Sequence, residues 1–329
     1  MADRQGKGKK TAYIKYLLHI AIIAGVVVAA ISYLDWQEVI EALRLFDMIF
    51  LTPILIISTL YVFLKAVRFI PLMRPVTDLP ANVIFRGFVA GTAVTIIPGG
   101  VAARAGLMRQ VGVPIANSTG PVILSSMLDQ IAFVLGALVS AIWFEPARTP
   151  AMFLGAIILA VVLAYSLQSS RRWITLAVLW VSTKLNFQAH LSQFRRAWRM
   201  VATPRILSIT FIMTLVCVLM QVIMLDFSLK GVGLVVSYPI LFLAYILPAL
   251  IGRNTAIPGG FGITEAGMLG FLALTADIDL NLGAAAVAIF RVTTVFLHVI
   301  LGAVFYVFAW RGEDEQVHSS IHMKGMELE

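Results

Sequence analysis

Long uninterrupted apolar runs constrain the fold of this chain more than any other feature. A helix needs about 20 consecutive apolar residues to cross a bilayer, and runs near this length occupy residues 14–34, 48–70, 118–143, 150–168, 205–226 and 283–310. With 60% hydrophobic and 13% charged residues, the chain is not a soluble enzyme, a disordered protein or a nucleic-acid-binding module. We predict an all-α polytopic membrane protein with about six full spans.

Two further apolar regions, 83–112 and 238–275, are each broken in the middle by Pro-Gly-Gly. The breaks consist of Pro98, Gly99 and Gly100 in the first region and Pro258, Gly259 and Gly260 in the second. Proline ends a helix because it lacks an N–H, and glycine permits a tight backbone. Such backbone is tolerated at membrane depth only inside protein or beside a wet cavity. Each region is therefore predicted to be a re-entrant hairpin or, alternatively, a pair of full spans, which raises the total to eight or more.

The two broken regions belong to an internal repeat. TIIPGG at residues 95–100 matches TAIPGG at 255–260, and the same order of spans surrounds each copy. We assign the first repeat to residues 14–143 and the second to residues 150–310. No linker-like stretch divides the chain, so residues 1–329 are predicted to form one membrane domain that ends in a short polar tail at 311–329.

Basic residues indicate the orientation, because Lys and Arg collect in cytoplasmic loops. Residues 1–15 carry five of them, and the loop 169–205 carries seven with no acidic residue. Placing both segments in the cytoplasm also places the carboxyl end there and gives the two repeats inverted topology, a design of many secondary transporters. The net charge of +8 then reflects topology, and no nucleic-acid partner is expected. Residues 35–47 are predicted to form an amphipathic helix at the outer interface.

Charged residues near the second break are candidates for function, because a charge inside a membrane costs several kcal/mol. Glu265 lies on the apolar half-helix after the break and could take a proton, hold a cationic headgroup or pair with an arginine. Its structural alternative is to cap the half-helix. Arg253 and Asn254 precede the break, and Arg104 follows the first one. Either arginine could bind phosphate through two hydrogen bonds, or could snorkel or pair with Glu265.

Three of the predicted spans carry further charged or titratable residues. Asp129 and Arg291 occupy similar places in the two repeats, which predicts an ion pair between them or contact with a substrate. His298 follows Arg291 by seven residues and is expected on the same helix face, as a proton relay or a packing residue. Lys65 and Arg68 lie near the cytoplasmic end of their span, where we expect them to snorkel to lipid phosphates and not to form a site.

The half-helices after the glycines, about 101–112 and 261–275, would present free N–H groups and partial positive charge at their amino ends. These ends are candidate positions for a lipid phosphate, and simple packing kinks are the alternative. The sequence contains no Walker A, His-Glu-x-x-His or Gly-x-Ser-x-Gly motif, and its one cysteine, Cys217, has no zinc-type cluster around it. We expect no enzymatic activity, no cofactor and no metal site.

The stretch IPGGFGITEAGMLGF at residues 257–271 resembles the Pro-Gly-Gly-x-Gly-x-x-Glu signature of the lysylphosphatidylglycerol synthase transmembrane-region family, with Gly262 and Glu265 at its last two fixed positions. The resemblance extends to KAVRFIPLM at 65–73, to Asp129 and to FRVTTVFLHVILG at 290–302. In two places the chain departs from the family pattern. Ala102-Ala103 replaces Gly-Glu after the first break, and Ser126 replaces an arginine before Asp129.

This resemblance implies a lipid-translocating membrane domain in the bacterial cytoplasmic membrane, because the family includes the flippase half of the multiple peptide resistance factor. The family's aminoacyl-transferase domain has no counterpart in this sequence, so no lysyl-lipid synthesis is expected. The predicted function is movement of a phospholipid or lipid-linked headgroup, with anionic lipid as the expected partner. The alternatives are a non-transporting partner of an enzyme that modifies lipids or lipid-linked glycans, and an intramembrane lipid-phosphate enzyme.

Overall fold

A computed structural model describes residues 34–95, 100–142, 198–255 and 258–310, together with Ser32 and scattered positions between 144 and 159. All regular structure in these residues is helical and none of it is strand, which confirms the predicted fold class. The predicted span 14–34, most of the span 150–168, most of the basic loop 169–205 and the tail 311–329 lie outside the described residues.

Ten α-helices make up the described part of the chain. In chain order they are α1 (Trp36–Arg44), α2 (Met48–Met73), α3 (Ala81–Ala90), α4 (Gly100–Gln110), α5 (Ile115–Ser140), α6 (Pro204–Lys230), α7 (Tyr238–Asn254), α8 (Ile263–Ala276), α9 (Leu280–Arg291) and α10 (Leu297–Phe305). Short 3₁₀ turns follow α3 (Gly91–Val94) and precede α8 (Pro258–Gly260), and π-helical turns follow α9 (Val292–Phe296) and α10 (Tyr306–Trp310).

Within the described part of the chain, four helices are long and apolar enough to cross a membrane. They are α2, α5, α6 and the continuous helix Leu280–Trp310, which contains α9 and α10. They coincide with four of the six predicted full spans. Their outer faces expose large apolar side chains such as Ile56, Leu60 and Ile212, as expected of surfaces that face lipid.

Both Pro-Gly-Gly regions are split into two shorter helices. The first consists of α3 with its 3₁₀ turn and of α4, and the second consists of α7 and α8. At about 1.5 Å per residue, the 11 residues of α4 are too short to cross a bilayer alone. The predicted break at residues 258–260 is therefore present, residues 96–99 of the first break lie outside the described residues, and the choice between re-entrant hairpins and paired spans stays a prediction.

α1 forms at the predicted amphipathic segment. Its cap is Asp35, whose side chain accepts hydrogen bonds from the backbone N–H groups of Gln37 and Glu38. One face buries Val39 and Ala42 in a small apolar cluster with Ala285 of α9. Another face exposes the polar side chains of Gln37, Glu38 and Glu41. This helix has the two faces that an interfacial position requires.

Contacts divide the chain into two compact units. The first contains the described residues up to 56 and Gln221–Val295, and it holds α7, α8 and α9. The second contains Ile57–Met220 and the described residues from Phe296, and it holds α3, α4 and α5. Each unit thus includes one of the Pro-Gly-Gly regions. The predicted single domain and inverted repeat stay predictions.

A large apolar core fills the second unit. It buries Phe69 of α2, Phe88 of α3, Met108 of α4 and Trp310 at the end of the last helix. The Trp310 indole donates a hydrogen bond to Oε1 of Gln110 at 2.8 Å. Gly87 makes room for the indole, because a Cβ at this position would lie 2.7 Å from the ring. This core positions α4 against α3 and α5.

Candidate functional site

The second Pro-Gly-Gly tip, in the first unit, has a backbone that only glycine adopts readily. Gly259, Gly260 and Gly262 have φ angles of 62°, 65° and 82°. Residues with a Cβ are strained in this left-handed region. The three glycines of the Pro-Gly-Gly-x-Gly motif are thus required by the turn that leads from α7 into α8.

Glu265 caps the helix that follows this turn. Its Oε2 accepts a hydrogen bond from the backbone N–H of Gly262 at 2.6 Å. The carboxylate therefore lies over the first turn of α8, where free N–H groups and partial positive charge favour an anion. The capping alternative for Glu265 is realised, and the chain's own carboxylate lies where a lipid phosphate was considered.

Arg291 binds the same carboxylate from α9. Its Nε donates to Oε1 of Glu265, and its Nη2 donates to the carbonyl oxygen of Gly259 at 3.0 Å. Its guanidinium also lies 5.1 Å from the centre of the Phe261 ring. The side chains of Arg291 and Glu265 are 14% and 25% exposed. The pair fixes the tip to α9 and stays partly accessible.

The tip also packs closely on α7. A Cβ on Gly267 would lie 2.9 Å from Cβ of Pro248, and a Cβ on Gly260 would lie 2.8 Å from Oγ1 of Thr264 and 3.0 Å from the Gly252 carbonyl. Both glycines are needed for the close approach of α7 and α8. The position of Glu265 is therefore fixed by the close packing of α7 and α8 as well as by its ion pair with Arg291.

We expect Gly260→Ala to lower the free energy of unfolding by about 1–3 kcal/mol, because the new Cβ combines left-handed strain with the contacts above. Equilibrium unfolding in mixed micelles measures this change. Gly270→Ala is the matched control on α8, since a Cβ there meets nothing within 4 Å and alanine favours a helix. Equal stability of the two variants would contradict the prediction.

A second group of charges lies in the other unit, between α2 and α5. Lys65 Nζ lies 2.8 Å from Oδ2 of Asp129, and Arg68 Nη1 lies 2.7 Å from Oδ1 of the same carboxylate. The Arg68 side chain is fully buried, whereas Lys65 and Asp129 are 15% and 14% exposed. One carboxylate is thus shared by two cations within candidate spans.

Arg68 also binds uncharged groups on two helices. Its Nη1 donates to the Thr214 hydroxyl on α6, and its Nη2 donates to the hydroxyl and carbonyl oxygens of Ser125 on α5, at 2.8 and 3.3 Å. A single buried guanidinium therefore joins α2, α5 and α6.

These contacts correct one prediction from the sequence. Lys65 and Arg68 were expected to snorkel to lipid phosphates, and this is wrong because both side chains bind Asp129. Asp129 and Arg291 were expected to form an ion pair with each other or to contact a substrate. The structure gives Asp129 contacts with Lys65 and Arg68 and gives Arg291 a contact with Glu265, and the expected pairing of Asp129 with Arg291 stays a prediction.

Arg104 lies beside the Asp129 group. It extends from α4, and its guanidinium lies 4.1 Å from the centre of the Phe88 ring. It also interacts electrostatically with Asp129 and Arg68. Arg104 is thus within electrostatic range of Asp129.

The other predicted positions are less informative. Arg253 is exposed on the last turn of α7, and it has interactions of its own. Pro98 and Gly99 lie outside the described residues, Gly100 begins α4, and the side chains of Asn254 and Pro258 are not described.

His298 shares a hydrogen bond with Ser58, with 2.9 Å between Nε2 and Oγ, and its ring stacks on Tyr61 at 5.2 Å. The π-helical turn Val292–Phe296 separates it from Arg291. The predicted common face of Arg291 and His298 stays a prediction. The packing alternative for His298 has direct support from its contacts.

The polar face of α2 was not predicted from the sequence. Ser58, Tyr61, Lys65 and Arg68 follow one another at intervals of three or four residues, the spacing of side chains on one helix face. Such a polar stripe on an otherwise apolar span predicts a face buried against protein. This signal could have placed Lys65 and Arg68 inside the bundle.

Comparison with curated proteins finds no match for this chain. A family model described as the lysylphosphatidylglycerol synthase TM region matches residues 16–302, which include both Pro-Gly-Gly regions and both charge groups. The chain therefore belongs to the lysylphosphatidylglycerol synthase TM-region family.

Proposed function

We propose that this protein moves a phospholipid or a lipid-linked headgroup between the leaflets of the bacterial cytoplasmic membrane, as a transporter and not as an enzyme. One observation carries the proposal. Charged groups that are mostly buried lie within apolar helices, as the Glu265–Arg291 pair and as the Lys65–Asp129–Arg68 group. Charges retained at such cost commonly mark substrate pathways. Membership in a lipid-associated family supports the same function.

The Glu265–Arg291 pair can take part in headgroup exchange. A phosphate oxygen can replace the Glu265 carboxylate on the Arg291 guanidinium, because both are anionic acceptors suited to its planar donors. Glu265 stays anchored meanwhile by the Gly262 N–H. Arg291 would thereby pass a phosphate along the tip without leaving either anion unpaired.

The amino end and the carboxyl end are proposed to be cytoplasmic. This orientation rests on the basic residues of 1–15 and 169–205 and on the tendency of such segments to stay inside.

Reconstitution tests the proposed transport. The purified chain is placed in liposomes that contain fluorescent phospholipids, and a membrane-impermeant quencher reports how fast labelled lipid reaches the outer leaflet. We expect faster exchange than in empty liposomes. Glu265→Gln should exchange lipid at least about tenfold more slowly than wild type, because the variant lacks the negative charge that competes with a bound phosphate for Arg291 and so displaces it.

Glu145→Gln is the matched control. Glu145 is 83% exposed and lies 3.2 Å from Arg148 in a pair at the protein surface, and such pairs contribute little. This variant should exchange lipid at the wild-type rate. A wild-type chain that accelerates no anionic, zwitterionic or lysyl lipid would contradict the proposal.

A further inference from the structure

The group around Asp129 contains more positive than negative charge. Lys65 and Arg68 bind this carboxylate directly, and Arg104 interacts with it only through longer-range electrostatics. The stretch 57–220 contains only two other acidic residues. They are Asp78, which lies between α2 and α3, and Glu145, which is exposed. One carboxylate therefore serves three cations, and a second anion would offset the cost of their burial.

Two donors in this group are also unsatisfied. Among the described residues, Nε of Arg68 and Nε of Arg104 are both buried without a hydrogen-bond partner. A buried N–H without an acceptor costs about 1–3 kcal/mol. Phosphate oxygens are the acceptors that guanidinium groups bind most readily, together with carboxylates. The missing acceptor and the missing negative charge point to the same kind of ligand.

Arg104 is held in place by apolar contacts. Its guanidinium lies on the Phe88 ring, and its side chain passes over Gly91, where a Cβ would lie 2.7 Å from Cγ of Arg104. Both contacts are apolar, and Nε of Arg104 has no hydrogen-bond partner. The group reaches the protein surface at Lys65 and Asp129, whose side chains are 15% and 14% exposed.

We infer that Lys65, Arg68 and Arg104 form a binding site for one phosphate group, the phosphodiester of an anionic lipid headgroup. Asp129 is the internal counter-ion that orients Lys65 and Arg68, and Arg104 contributes the charge that Asp129 does not neutralise. This inference rests on the proposed function and names the substrate class. Inorganic phosphate has the same binding chemistry, so the test must separate the two sources.

Binding is measured on the full chain in detergent by native mass spectrometry, with phosphatidylglycerol, phosphatidylcholine and inorganic phosphate as probes. We expect phosphatidylglycerol to bind at least about tenfold more tightly than phosphatidylcholine, and Arg104→Gln to weaken it about tenfold, as loss of one charge-assisted contact predicts. Arg109→Gln is the matched control, because Arg109 is exposed on the same helix. It should bind as wild type does.

Gly91→Ala provides a second variant that changes no charge. Gly91 has a φ of −65°, which alanine adopts without strain, so the new methyl group acts by displacing Arg104. We expect about three- to tenfold weaker binding of phosphatidylglycerol. If Arg104→Gln fails to fold, this variant still tests the site.

The outcomes separate the site from the proposed transport. If inorganic phosphate competes with phosphatidylglycerol for wild type but not for Arg104→Gln, the site is supported and phosphate alone is a sufficient ligand. If only the lipid binds, the ligand of the site is the lipid headgroup. Equal binding of phosphatidylglycerol by wild type, Arg104→Gln and Gly91→Ala would overturn the site, even if lipid exchange occurs. Selective binding without exchange would support the site and contradict the transport.

Discussion

Arg68→Met is expected to lower the free energy of unfolding by about 3–5 kcal/mol, the range for removal of one partner from a buried ion pair. The substitution keeps an apolar stem of similar length but removes the donors that bind Asp129, Thr214 and Ser125. Asp129 is then left with less counter-charge inside the bundle. Equilibrium unfolding in mixed micelles, followed by fluorescence of the six tryptophans, measures the loss.

Arg74→Met is the control for this prediction, because Arg74 is exposed after the end of α2. Its effect should stay within about 0.5 kcal/mol. Adding Asp129→Asn to Arg68→Met should lower stability further, because the Lys65–Asp129 ion pair is then lost as well and the Lys65 charge is left without it. If Arg68→Met were as stable as Arg74→Met, the contacts by which the Arg68 guanidinium joins the three helices would not contribute to the free energy of unfolding.

The helices were predictable because their causes are local. The apolar run at 48–70 became α2, Met48–Met73, and each Pro-Gly-Gly became a break between two shorter helices. These features depend on the length of an apolar run relative to the thickness of the bilayer and on the backbone limits of proline and glycine. They do not depend on distant residues. The capping role of Glu265 was predictable for the same reason, since its partner Gly262 is three residues away.

The partners of the charges were not predictable in the same way. Asp129 was considered as a partner of Arg291 or of a substrate because Asp129 and Arg291 occupy similar places in the repeats, and its contacts with Lys65 and Arg68 of α2 were not predicted. Pairing across helices depends on which faces meet, and neither hydropathy nor repeat position specifies this. The polar stripe on α2 carries that information, because three- and four-residue spacing reveals the buried face.

Glu265→Ala is expected to lower the free energy of unfolding by about 2–4 kcal/mol, because it removes two interactions at once. The Gly262 N–H loses its acceptor, and Arg291 keeps the Gly259 carbonyl and the Phe261 ring as its contacts at the tip. Glu265→Gln retains an amide oxygen for the Gly262 N–H and should cost about 1 kcal/mol. The same unfolding measurement in mixed micelles compares the two variants.

Arg291→Ala and the double variant with Glu265→Ala complete the test. If the pair is coupled as the structure indicates, the double variant should lose at least about 1 kcal/mol less than the sum of the single variants. Additive losses would mean that Glu265 acts through the cap alone. The stabilities of these variants also determine how the lipid-exchange rate of Glu265→Gln is interpreted. Because Glu265→Gln keeps the cap, slower exchange in a stable Glu265→Gln protein arises from the missing charge beside Arg291 and not from a collapsed tip.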